Sequence, residues 1–169
     1  MDRIFNPAFA ALAAGTLVAT VVDIRTRRIP NELTAAMACF GIGLAAIGAS
    51  GLSVGASLAG LVIGLALMMP GHLIGATGAG DVKLMAAVGA IVGPQLTVTA
   101  FLFTAVIGGV LAVVVALRRQ RFGAMLEATG RLISAPSDAK NEIKGASQAS
   151  RFAYGPAIAL GSVLAALMG

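Results

Sequence analysis

Residues 81–118 read DVKLMAAVGAIVGPQLTVTAFLFTAVIGGVLAVVVALR. Beyond Asp81 and Lys83 the stretch is uncharged and mostly apolar until Arg118. As one helix, Val82–Leu117 would be about 54 Å long at 1.5 Å per residue. That overshoots a hydrocarbon core of roughly 30 Å. Gly93-Pro94 resolves the excess, because a proline cannot continue a helix that reaches it and a glycine lets the chain reverse. The pair reads as a tight turn between two crossings.

The rest of the chain agrees. Of its 169 residues 58% are hydrophobic and only 11% charged, against about 25% charged in soluble domains. The bilayer is therefore the expected solvent. The expectation is an all-α, polytopic membrane protein, a single domain over 1–169 with six transmembrane helices. They fall at about 5–22, 32–49, 54–74, 81–92, 95–117 and 152–168. The first differs from a cleaved secretory signal, since Asp2 and Arg3 precede a long apolar run and a basic loop follows it. Cys39 stands alone, which excludes an internal disulfide framework and a four-cysteine zinc site. No cofactor and no metal are expected.

Charge placement orients the helices. With six crossings, the connections at 23–31, 76–83 and 118–151 share one side. They carry 11 of the 12 Lys and Arg residues, leaving only Arg3 opposite. Such an excess marks the cytoplasmic face, so both termini are expected outside the cytoplasm. The net charge of +5 then reflects topology and not nucleic-acid binding, and membrane lipids are the expected surroundings. The same rule favours a full crossing over a re-entrant dip at 82–92, since a dip would carry Arg118, Arg119 and Arg121 outward. Within 118–151, Phe122, Met125, Leu126, Thr129, Leu132 and Ile133 recur at helical spacing. They suit a short helix on the cytoplasmic membrane surface or a solvated basic connector.

Two of the seven acids lie against apolar helices on that cytoplasmic side. Asp23 ends the first helix, in VVDIRTRRIPNELT, and Asp81 opens the fourth, after Gly78-Ala79-Gly80. Ionisable groups at membrane depth are costly, so they pair, line a wet cavity or do chemistry. Bland roles exist for both: Asp23 can balance Arg25, Arg27 or Arg28, and Asp81 can act as an N-cap. Capping leaves Gly78 and Gly80 unexplained, whereas a close backbone approach to Asp81 accounts for them. The functional role is an aspartyl dyad. Two adjacent carboxyls share a proton and titrate as a pair; one activates water while the other protonates the scissile carbonyl.

These residues resemble a known family. GAGDVKLMAAVG at 78–89 is similar to the GxGD signature of type IV prepilin peptidases, the GxGD intramembrane aspartyl proteases. DIRTRRIPNELT at 23–34 resembles the segment around that family's first aspartate, and FAYGPAIALG at 152–161 its closing helix. The resemblance implies that Asp23 and Asp81 are catalytic. It implies a prepilin or pseudopilin substrate, cut after a glycine at the cytoplasmic face of a bacterial inner membrane. The chain looks like the small form serving tight-adherence (Flp-type) pili, without the zinc-binding region of the larger methylating members: about seven residues join the first two helices. Around the dyad, Gly78 and Gly80 are expected to shape the backbone and Lys83 to tune charge, contact the substrate or reach lipid phosphates. Arg27, Arg28, Pro30 and Asn31 are candidates for substrate or lipid contact, with Asn31 also a natural N-cap of the second helix. Two other roles stay open: a small ion- or proton-coupled transporter using the same acids, and a GxGD protease for another membrane preprotein.

Overall fold

The computed structural model describes residues 7–118 and 154–169. The regular elements among the described residues are all helices: α1 (Pro7–Thr26), α2 (Asn31–Ala46), α3 (Val54–Leu73), α4 (Ala79–Val92), α5 (Pro94–Arg118) and α6 (Gly155–Met168). The surface helix considered within 118–151 lies outside them.

Local chemistry explains the boundaries. Ser53 caps α3 by accepting the Ala56 N–H at 3.1 Å. The reversal after α4 is the Gly-Pro device expected: Gly93 takes φ 81°, its N–H closes on the Gly89 carbonyl, and Pro94 begins α5. A positive φ of this kind with extended ψ suits only glycine, and proline is favoured at the first position of the helix that follows.

Three helices, Pro7–Thr26, Val54–Leu73 and the Pro94–Val114 part of α5, are long and apolar enough to cross a membrane. The other two apolar helices, α2 and α6, are shorter. α4 spans only about 21 Å at 1.5 Å per residue, and its surroundings explain how so short a helix is accommodated. Helices α1, α2, α3, α5 and α6 form a closed ring by successive contacts, and every one of them also touches α4. From Asp81 to Ile91 only Lys83 is exposed. A helix sheathed in protein need not match the lipid thickness itself; its neighbours do that. The ring meets the surroundings with apolar residues such as Leu17, Ile24, Val62, Leu102, Val106 and Leu160.

Bare backbone allows the tightest contact, between α3 and α4. A Cβ on Gly60 would overlap the Gly89 carbonyl, and one on Gly89 would overlap that of Gly60. One turn on, a Cβ on Gly64 would stand only 2.5 Å from the Met85 carbonyl. The Ser57 hydroxyl donates to the Ala90 carbonyl at 2.6 Å across the same seam. Small residues that bring helix backbones together are the usual means of association where lipid removes the hydrophobic drive. α4 is thereby fixed to α3, while α1 touches α2 and α4 sparsely.

Candidate active site

One end of the bundle gathers the C-terminus of α1 and the N-termini of α2, α4 and α6. α1 runs one turn past Asp23. The Arg27 N–H bonds the Asp23 carbonyl at 2.7 Å, and Arg27 itself takes φ 53°, the left-handed conformation that ends many helices. The Thr26 hydroxyl lies 2.9 Å from both the Val22 and the Arg28 carbonyls and steadies the exit. The chain then turns Ile29 inward, where it is buried, and extended Pro30 leads into α2.

α4 begins earlier than expected, at Ala79, so Asp81 is its third residue and not its N-cap. The Gly78 N–H donates to Asp81 Oδ2 at 2.9 Å. This is the acidic half of a capping box, in which an N3 carboxylate reaches back to the N-cap N–H. The capping bond engages only Oδ2 and leaves Oδ1 without one among the described residues. The glycines around it now have reasons. A Cβ on Gly80 would stand 3.1 Å from that of Ile29, and one on Gly78 would stand 3.1 Å from Asp81 Oδ2. Gly80 lets the α1–α2 turn lie against α4, and Gly78 leaves room for the carboxylate.

Asp23 is held differently. Its Oδ2 accepts the backbone N–H of Gly155, the first residue of α6, at 2.9 Å in a buried contact. Its partner is therefore a helix terminus 132 residues away and not an arginine of its own loop. Both carboxylates are nearly enclosed, Asp23 at 6% and Asp81 at 8% exposure. Both lie where the turn that follows α1 rests on the start of α4, with Ile29 against Gly80. Among the described residues neither Oδ1 takes a hydrogen bond. Each of these two buried acids is thus tethered through one oxygen and leaves the other without a bond among the described residues.

The remaining candidates divide. Lys83 Nζ donates to Asn31 Oδ1 at 2.8 Å, an exposed tie between α4 and α2. Asn31 is the first residue of α2 and caps nothing, because extended Pro30 occupies the cap position and the Asn31 amide reaches across to α4. Arg27 and Arg28 are exposed and Pro30 is partly covered. His72 is exposed too, with its ring nitrogen 3.2 Å from the Thr77 carbonyl.

Three residues beside the two aspartates were not singled out as site residues from the sequence. Ile29 carried a signal, a lone aliphatic in the otherwise polar TRRIPNE loop. Tyr154 and Gly155 were legible only as the shaped start of the last helix.

A sequence model of the type IV leader peptidase family matches residues 10–113, which include Asp23, Asp81 and the turn between α1 and α2. No curated protein and no solved structure matches the chain.

Proposed function

The chain belongs to the type IV leader peptidase family, and from that premise we propose that it is an intramembrane aspartyl endopeptidase with Asp23 and Asp81 as its catalytic pair. The observation that carries this reading is the burial of both carboxylates at one end of the bundle, each tied through Oδ2 to a helix-terminal N–H. Backbone tethers fix the acids without neutralising them, and each Oδ1 is left for the reaction.

In this reading the ionised member of the pair takes a proton from water as the water oxygen attacks the scissile carbonyl. The protonated member gives its proton to the carbonyl oxygen, forming a gem-diol. Collapse returns the proton from the diol, breaks the C–N bond and delivers a proton to the departing amine. No metal or cofactor takes part. Because the pair must hold one proton between its members, activity follows a bell-shaped pH profile whose limbs belong to the dyad and not to either residue.

The proposed substrates are type IV prepilins of the Flp type or pseudopilins, cut after a glycine at the cytoplasmic face of the inner membrane. All six helices would cross, with both termini outside. A basic leader stays in the cytoplasm while the helix after it sits in the bilayer, so the scissile bond lies at the depth of the acids. Water reaches a peptide bond only after the helix unwinds, and glycine lowers that cost by roughly 1 kcal/mol relative to alanine.

The test is incubation of the purified protein with a candidate prepilin, followed by mass determination of the product. Loss of the leader mass, with a new N-terminus after glycine and no added methyl group, is expected. An unchanged mass would overturn the proposal.

A further inference from the structure

The start of α6 lies outside the family match, yet it supplies the only hydrogen bond to the Asp23 carboxylate among the described residues. The sequence there is Tyr154-Gly155-Pro156. A helix start normally offers several free N–H groups. Here Pro156 has none, and the Ala157 and Ile158 N–H groups both close on the Tyr154 carbonyl, at 3.0 and 3.2 Å. Gly155 is left as the one first-turn donor facing outward, and it meets Asp23 Oδ2.

The space is as specific as the donor. A Cβ on Gly155 would stand 2.9 Å from Asp23 Oδ2, 3.1 Å from its Cβ and 3.3 Å from its Cγ. The carboxylate lies flat against the bare backbone of residue 155. Tyr154 holds that backbone in place: its ring occupies the gap left by the missing side chain of Gly108 on α5, where a Cβ would overlap it. Its hydroxyl lies 3.5 Å from the Thr104 carbonyl. α5 thus braces Tyr154, and the turn presents one N–H to the acid on α1.

We propose that Gly155 is a positioning residue for the dyad, setting through its N–H and its missing side chain the orientation in which Asp23 presents its free oxygen to water. The role rests on the peptidase reading above and adds α6 to a site otherwise built from α1 and α4. A merely architectural glycine would allow α6 to pack and leave the chemistry indifferent to it.

Gly155→Ala keeps the N–H and displaces the carboxylate. With a prepilin leader joined to its hydrophobic helix as substrate, kcat is expected to fall about a hundredfold. KM is expected to stay within about twofold, and the limbs of the pH profile to move. Unchanged kcat and unchanged limbs overturn the proposal, as does a lowered curve with unmoved limbs. If Gly155→Ala does not fold, glycolate at position 155 decides, introduced by nonsense suppression during translation into vesicles. This ester keeps the bare backbone of glycine and removes the N–H; it also weakens the Tyr154 carbonyl that accepts two bonds at the start of α6, so kcat is read per folded protein. Loss confined to kcat supports the role, and wild-type kcat overturns it. Asp23→Asn run alongside separates the two claims. Wild-type cleavage by Asp23→Asn sinks the dyad itself, whereas an inactive Asp23→Asn beside fully active position-155 variants sinks only the positioning role.

Discussion

The two aspartates sit at the same end of one bundle, yet they are held in opposite ways. Asp81 is secured locally: its carboxylate caps its own helix three residues back, and that helix is clasped along its length by α3 through Gly60, Gly64 and Gly89. Asp23 is secured at long range, by the first N–H of a helix 132 residues further on, from an α1 whose contacts with α2 and α4 are sparse. One acid belongs to a rigid frame and the other to a wall leaning against it. The proposed dyad would then have one member fixed by sequence-local geometry and one adjusted by the packing of α1 and α6.

The largest expected effect treats both sides alike. Asp23→Asn and Asp81→Asn are each expected to abolish leader removal, with membrane insertion and thermal stability near wild type, measured by product mass and by unfolding in detergent. Unequal loss would show that one acid only supports the other. Next comes the frame. Gly89→Val puts a branched side chain where even a Cβ overlaps the Gly60 carbonyl, so it is expected to destabilise the fold by about 3 kcal/mol or more. It should lower Tm and activity together, while Gly43→Ala, whose Cβ meets nothing within 4 Å, should leave both unchanged.

A smaller effect tests the seam between frame and wall. Ile29→Ala removes most of a buried side chain from against Gly80 and is expected to cost about 2 kcal/mol, with kcat falling further than the folded fraction does. Equal falls would mean that Ile29 supports only the fold. The smallest effect belongs to the exposed tie. Lys83→Met is expected to change stability by less than about 0.5 kcal/mol. A loss of cleavage beyond roughly tenfold would instead give Lys83 a place at the substrate.

The same division governs what could be read from the sequence. The Gly93-Pro94 reversal and Gly78 were legible because their causes lie within a few residues of them, whereas Gly80 read as a point of close approach whose neighbour, Ile29, comes from far along the chain. The all-helical class followed from hydropathy and the Gly-Pro break. The enclosure of α4 was not legible, because no local property says that five helices will close around a sixth. Nor was the shift of Asn31 from cap to interhelical tie, which depends on Lys83 arriving from α4. The Gly155 contact was hidden for the same reason: its N–H looks like any helix start until α6 is set beside α1.

Enclosed on every side, α4 is exempt from matching the thickness of the bilayer, and Asp81 is exempt with it. α1 is not, since Leu17, Val18, Val21 and Ile24 face outward. A helix in contact with lipid answers a thinner or thicker membrane by changing its tilt. If Asp23 and Asp81 pair as proposed, acyl-chain length is expected to change the spacing between them, and cleavage should run fastest in the lipid that brings Asp23 upright to Asp81.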